Sequence, residues 1–167
     1  PEAGFKVNAK PLKSKMKLAR KIALLQQLQD YIGSGSESWA AAKAEASRMN
    51  AWFLPVFVDL AVENIRRQFL APGLLEEFSR AYNLPEERPE PKTVGLVMAG
   101  NIPLVGFHDF LCIFLSGHRQ LIKASSKDEV LIRHIIEWMH RQEPGTRQLA
   151  ELSPTLKNCD AYIATRS

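Results

Sequence analysis

The run Val94-Gly95-Leu96-Val97-Met98, closed by Ala99-Gly100, constrains the fold of this chain more than any other feature. A continuous apolar run ended by glycine reads as a strand buried on both faces, the pattern of a parallel sheet. A parallel strand needs a crossover to reach its neighbour, and the sequence supplies candidates for one. Residues 103–115 read as a helix stopped by Ser116-Gly117, and 120–124 as a second strand. Residues 127–141 read as a helix with Val130, Ile132, Ile135, Ile136 and Met139 facing inward. After the turn at Glu143-Pro144-Gly145, a short helix is expected over 147–152 and a third strand at Ala161-Tyr162-Ile163-Ala164. This alternation predicts a right-handed, parallel βαβαβ unit, which binds ligands at the carboxyl ends of its strands.

The residues before it follow helical periods instead. From Lys17 to Ile32, apolar residues at Leu18, Ile22, Leu25, Leu28 and Ile32 keep three-to-four spacing. Ser36 or Ser38 caps a second helix over 37–49, and Asn50-Ala51-Trp52-Phe53-Leu54-Pro55 breaks the chain with two large aromatics. A third helix runs to about Gln68 with Val58, Ala61, Val62, Ile65 and Phe69 on one face, and a fourth to Tyr82. The expected organisation is a basic, flexible lead-in or tag over 1–16, a helical segment over 17–83, a Pro-rich connector over 84–92, and an incomplete cofactor-binding unit over 93–167. The fold class is therefore α/β: an N-terminal helical segment followed by a partial, Rossmann-like parallel unit.

Charge and cysteine usage narrow the function classes. Residues 1–21 hold seven basic residues against Glu2, while the rest of the chain carries 15 basic and 17 acidic residues. A basic tail on a near-neutral body does not make nucleic acid the expected partner. No apolar run is long enough to span a membrane. Cys112 and Cys159 form neither a disulfide framework nor a metal-ligand spacing, which fits a reducing cytoplasm. Cys112, in an apolar helix, reads as a buried small hydrophobe.

Several residues at the expected strand ends can carry chemistry. Asn101 and Pro103 suit a helix start, Asn as a cap and Pro at the first position. The same geometry aims an amide at the ligand crevice, where it could stabilise an oxyanion. His108 can act as an acid or base or be a structural helix residue, and Asp109 gains from the helix dipole. Lys123, followed by Ala124-Ser125-Ser126-Lys127, can hold phosphate or ribose oxygens, or be a surface Lys before a Ser-capped helix. Neither G-x-G-x-x-G nor a Walker loop is present.

The stretch MAGNIPLVGFHDFLCIFLSGHRQLIKASSKD, with the upstream NAWFLP, the Pro-rich connector and the terminal CDAYIAT, resembles the LuxC-type fatty acyl-CoA reductases of the aldehyde dehydrogenase superfamily. The resemblance implies an aldehyde-dehydrogenase-type cofactor unit. It also implies reduction of an acyl-CoA to the aldehyde through a thioester on a cysteine that lies beyond this chain, so that the chain alone is expected to be inactive. It makes Asn101 the donor to the oxyanion and Lys123 the residue that holds the adenosine ribose. Ser125, Ser126 and Lys127 stand where the superfamily often has Pro-Ser-Glu, which favours NADPH over NADH. The superfamily's Gly-Ser after the third strand is here Arg166-Ser167, leaving Ser167 as the cofactor contact. The other reading is a non-catalytic interaction module with a basic tail. An open sheet edge also allows a homo-oligomer.

Overall fold

The computed structural model describes residues 16–165. Ser167 and nearly all of the basic lead-in lie outside the described residues. The described residues are mixed α/β, with six α-helices and a four-stranded, wholly parallel sheet. Four helices come first: α1 (Leu18–Gly33), α2 (Glu37–Met49), α3 (Pro55–Gln68) and α4 (Leu74–Ala81). The sheet follows as β1 (Thr93–Val97), α5 (Phe107–Ser116), β2 (Arg119–Lys123), α6 (Glu129–Gln142), β3 (Ala150–Leu152) and β4 (Ala161–Ala164).

Local chemistry accounts for most boundaries. Ser36, not Ser38, caps α2: its Oγ accepts the Trp39 amide at 3.3 Å. Ser36→Ala should therefore cost about 1 kcal/mol in denaturant-melt stability, and an unchanged midpoint would deny the cap. Pro55 begins α3, where its missing N–H costs nothing. Gly117 ends α5 at φ 81°, a left-handed conformation that glycine adopts without strain.

Two elements differ from the sequence reading. The helix expected from Pro103 begins only at Phe107, with Gly106 at its N-cap and no side-chain cap. Asn101 and Pro103 therefore do not start a helix. Leu104 at φ 57° breaks the turn, and the Asp128 carboxylate accepts the Leu104 amide at 2.7 Å, a bond that a helix start at Pro103 does not require. The helix expected over 147–152 is a 3-10 turn at Pro144–Gln148 followed by β3, so the unit has four strands rather than three. Leu149 and Leu152 lie three residues apart and imitate helical spacing, while the Gln120, Leu121 and Ile122 backbone pairs with 150–152.

The sheet order is β3-β2-β1-β4. The chain steps outward from β1 to β2 and β3, then returns to the other side of β1 for β4. This reversal is a topological switch point, where open α/β sheets form a crevice. Register aligns Val97 with Lys123 on one side and with Ala164 on the other, so three strands end at one level. Helices α5 and α6 pack on the sheet, and α1, α2 and α3 form a layer outside them. Phe107, Phe110 and Phe114 of α5 and Leu24, Leu25 and Leu28 of α1 are fully buried in this sandwich. Val130 is only half-buried, whereas Ile132, Ile135, Ile136 and Met139 face the core as expected. Edge strand β4 is exposed along its whole length.

Candidate functional site

The carboxyl ends of β1 and β2 open onto two different cavities. Beyond β1, residues 98–106 form a loop whose shape is set from outside it. Asp128, only 6% exposed, takes the Leu104 amide through Oδ2 and also accepts from the Val105 amide. Its other oxygen, Oδ1, is buried without a partner among the described residues. Burial raises the Asp128 carboxyl to about 7, against the two backbone hydrogen bonds that favour its charged form. At Gly100 the absence of a side chain admits Ser125, whose Cβ would lie 2.7 Å from a Cβ at that position.

The loop forms one wall of an apolar cleft of about 540 Å³. Phe57 and Leu60 of α3 and the exposed Trp52 form the facing wall, and Asn101, Ile102 and Lys127 line the loop side. Asn50 ties the two walls together: its Nδ2 donates to the Lys127 carbonyl at 3.1 Å, and its Oδ1 accepts the Trp52 amide at 3.1 Å. The two neighbouring aromatics thus divide their roles, with Phe53 buried in the core and Trp52 83% exposed beside the cleft. Among the described residues the Asn101 side chain makes no hydrogen bond, so its amide is free for a ligand.

Beyond β2 and β3 lies a more polar pocket of about 570 Å³, lined by Lys123, Ser126, Glu129, Arg133 and Ser153. Arg133 pairs with Glu129 one helical turn away. The Lys123 ammonium and two hydroxyls near the strand ends, beside the Arg133–Glu129 ion pair of α6, suit a ligand bearing phosphates and hydroxyls.

The residues singled out in sequence are therefore divided. Lys123 and Ser126 share the polar pocket, while Asn101 and Lys127 share the apolar cleft. The Ser125 hydroxyl accepts the Lys127 amide at 3.3 Å and packs at Gly100. Asp109 accepts a hydrogen bond from the Thr165 hydroxyl at 2.9 Å, tying α5 to the end of β4 at the switch point. His108 is exposed, its ring centroid 5.1 Å from that of Phe69. With Cys112 it lines a separate cleft of about 300 Å³ against α4. Cys112 is half-buried rather than buried, with Sγ 3.7 Å from His108 Nε2. Burial and the nearby Asp109 raise its thiol, the reverse of what activates a nucleophile.

Asn50, Asp128 and Arg133 are among the site residues that sequence reasoning missed, as are Phe57 and Leu60 of the cleft and Glu129 and Ser153 of the polar pocket. The break at 50–55 was visible in sequence, but the contact of Asn50 with Lys127 spans 77 positions and leaves no local signal. Compared with family models, curated proteins and solved structures, the chain matches none. Among the described residues no helix is long and apolar enough to cross a membrane.

Proposed function

We propose that this chain forms the cofactor-facing and substrate-facing wall of an oxidoreductase that reduces a fatty acyl thioester to the aldehyde with NADPH. The observation that supports this reading is the juxtaposition at one sheet end: adjacent strands β1 and β2 lead to an apolar cleft bearing a free amide and to a polar pocket bearing Lys123 and the Arg133–Glu129 ion pair. In this reading Lys123 and Ser126 hold the hydroxyls and phosphate of the cofactor's adenosine half, and Arg133 is a third donor. Trp52, Phe57 and Leu60 take the acyl chain and exclude water from it. Asn101 donates its amide to the carbonyl oxygen as negative charge develops there. The nicotinamide, when bound, supplies the hydride. The acyl-bearing cysteine belongs to sequence outside this chain.

Titrating the chain with NADPH and with NADH, by calorimetry, tests the cofactor half of the reading. By the resemblance NADPH should bind more tightly, although Lys127 lines the apolar cleft and leaves Lys123 and the Glu129-paired Arg133 as the cations of the polar pocket. Lys123→Met should weaken NADPH binding about tenfold, as expected for one lost charge-assisted hydrogen bond. No binding of either nucleotide, or equal binding by the variant, would remove the cofactor from the reading. The acyl half is tested in a polypeptide that includes the catalytic cysteine: long-chain acyl-CoA should drive oxidation of NADPH.

A further inference from the structure

A second charged cluster lies at the opposite, amino end of the sheet and is independent of the reading above. Lys21 of α1 is only 3% exposed, yet among the described residues its ammonium makes no hydrogen bond and no ion pair. It sits beside Gly117, the left-handed residue between α5 and β2: a Cβ there would lie 3.1 Å from Lys21 Nζ and 2.9 Å from Arg88 Cβ. Glycine is therefore what lets the two cationic side chains close over this turn. Arg88, half-buried, donates through Nε to the Ser116 carbonyl at 2.8 Å, which leaves the rest of its guanidinium unengaged by that bond.

The next residue completes the cluster. His118 accepts the Lys92 amide on Nδ1 at 3.0 Å, so the neutral ring carries its proton on Nε2 and presents a donor. Burial, followed by the charges of Arg88, Lys21 and Lys92, holds the His118 ring below its usual pKa, with Asp160 opposing. Burial and Arg88 likewise depress the Lys21 amine, with Glu86 opposing. Both carboxylates have other partners: Glu86 Oε1 accepts the Ala19 amide at 3.3 Å, and Asp160 Oδ2 accepts the Thr93 amide at 2.7 Å.

We propose that Lys21, Arg88 and His118 form an oxyanion site that takes a phosphate group. Like charges held together in a half-dry site cost free energy, and the Lys21 ammonium, on a residue only 3% exposed, has no hydrogen bond or ion pair among the described residues to offset that cost. A doubly charged tetrahedral anion relieves both, because it has enough acceptor oxygens for all three donors. A carboxylate carries half the charge and fewer acceptors. Cations near a helix C-terminus also satisfy its last carbonyls, and Arg88 does this for α5. Lys21 does not donate to any of them, so capping leaves it unexplained.

The test is titration of the isotope-labelled chain with inorganic phosphate at constant ionic strength, following the amide resonances of Gly117 and His118. Saturable shifts confined to this end of the sheet are expected. Lys21→Met, which keeps most of the buried volume, should weaken phosphate at least tenfold and raise the melting temperature in chloride. Arg88→Gln keeps a donor for the Ser116 carbonyl and should also weaken phosphate, which covers the case in which Lys21→Met does not fold. Adenosine monophosphate serves as a parallel probe. Tighter binding at the same amides assigns the phosphate to a larger organic ligand, and weaker binding assigns it to the free ion; either result supports the site. Shifts that do not saturate, or variants that bind phosphate as well as the parent chain, would overturn it and return the cluster to helix capping.

Discussion

Asp128→Asn is expected to remove the largest single pH dependence of folding in this chain. The folded carboxyl titrates at about 7, whereas an unfolded Asp titrates near 3.9. Between those values the folded state keeps a proton that the unfolded state has released. Stability therefore falls as pH rises from about 4 to about 7, by up to about 4 kcal/mol from this group alone. His118 and His134, both held below their usual range chiefly by burial, act in the opposite sense, adding stability as pH rises toward 6.5. The difference between parent and variant isolates Asp128. Urea melts at pH 5 and pH 8 should show the parent chain losing stability relative to Asp128→Asn. The asparagine retains an acceptor oxygen for the Leu104 amide, so the loop keeps its hydrogen bond. Parallel pH profiles would mean that Asp128 ionises normally and that its burial is relieved by solvent.

Under the proposed function, and in a polypeptide that includes the catalytic cysteine, Asn101→Ala is expected to lower turnover of the acyl thioester about 100-fold, the loss typical of one oxyanion donor. The fold sharpens this experiment. Had Asn101 capped a helix, the same substitution would also cost about 1 kcal/mol of stability. It lies six residues before α5 and its side chain is exposed, so the melting temperature should hardly move. NADPH affinity should also be unchanged, because Asn101 and Lys123 line different cavities. A loss of activity that tracks a loss of stability would make Asn101 a structural residue; a loss in kcat alone supports the donor role.

Elements with strong periodicity are legible in the sequence alone. The α1–α4 series, β1, β2, α6 and β4 fall within a few residues of their expected bounds, because each carries an apolar pattern or a capping residue of its own. The connector over 84–92 is likewise free of helix and strand, and the Leu18 amide bonds to the Glu86 carbonyl, joining it to the start of α1. Short or conflicted segments were not legible. Ala150-Glu151-Leu152 has too few residues to declare a period, and becomes a strand only because β2 offers it a free edge. The 101–106 loop contains good helix-start residues, yet a carboxylate 24 positions away holds it open.

By itself, the sequence determined the class of this protein: a helical segment, then a parallel α/β unit whose strands end in turns. It did so because burial imposes a period on each element, and that period is local. The tertiary structure decided which of those turns share a cavity. Lys123 and Lys127 are four positions apart but lie on opposite sides of a turn, one in the polar pocket and the other beside Asn101 in the apolar cleft. Lys21 and Arg88 are 67 positions apart and meet over Gly117, beside His118. Contacts of that kind depend on sheet order and helix packing, and no residue's neighbours in the chain carry that information.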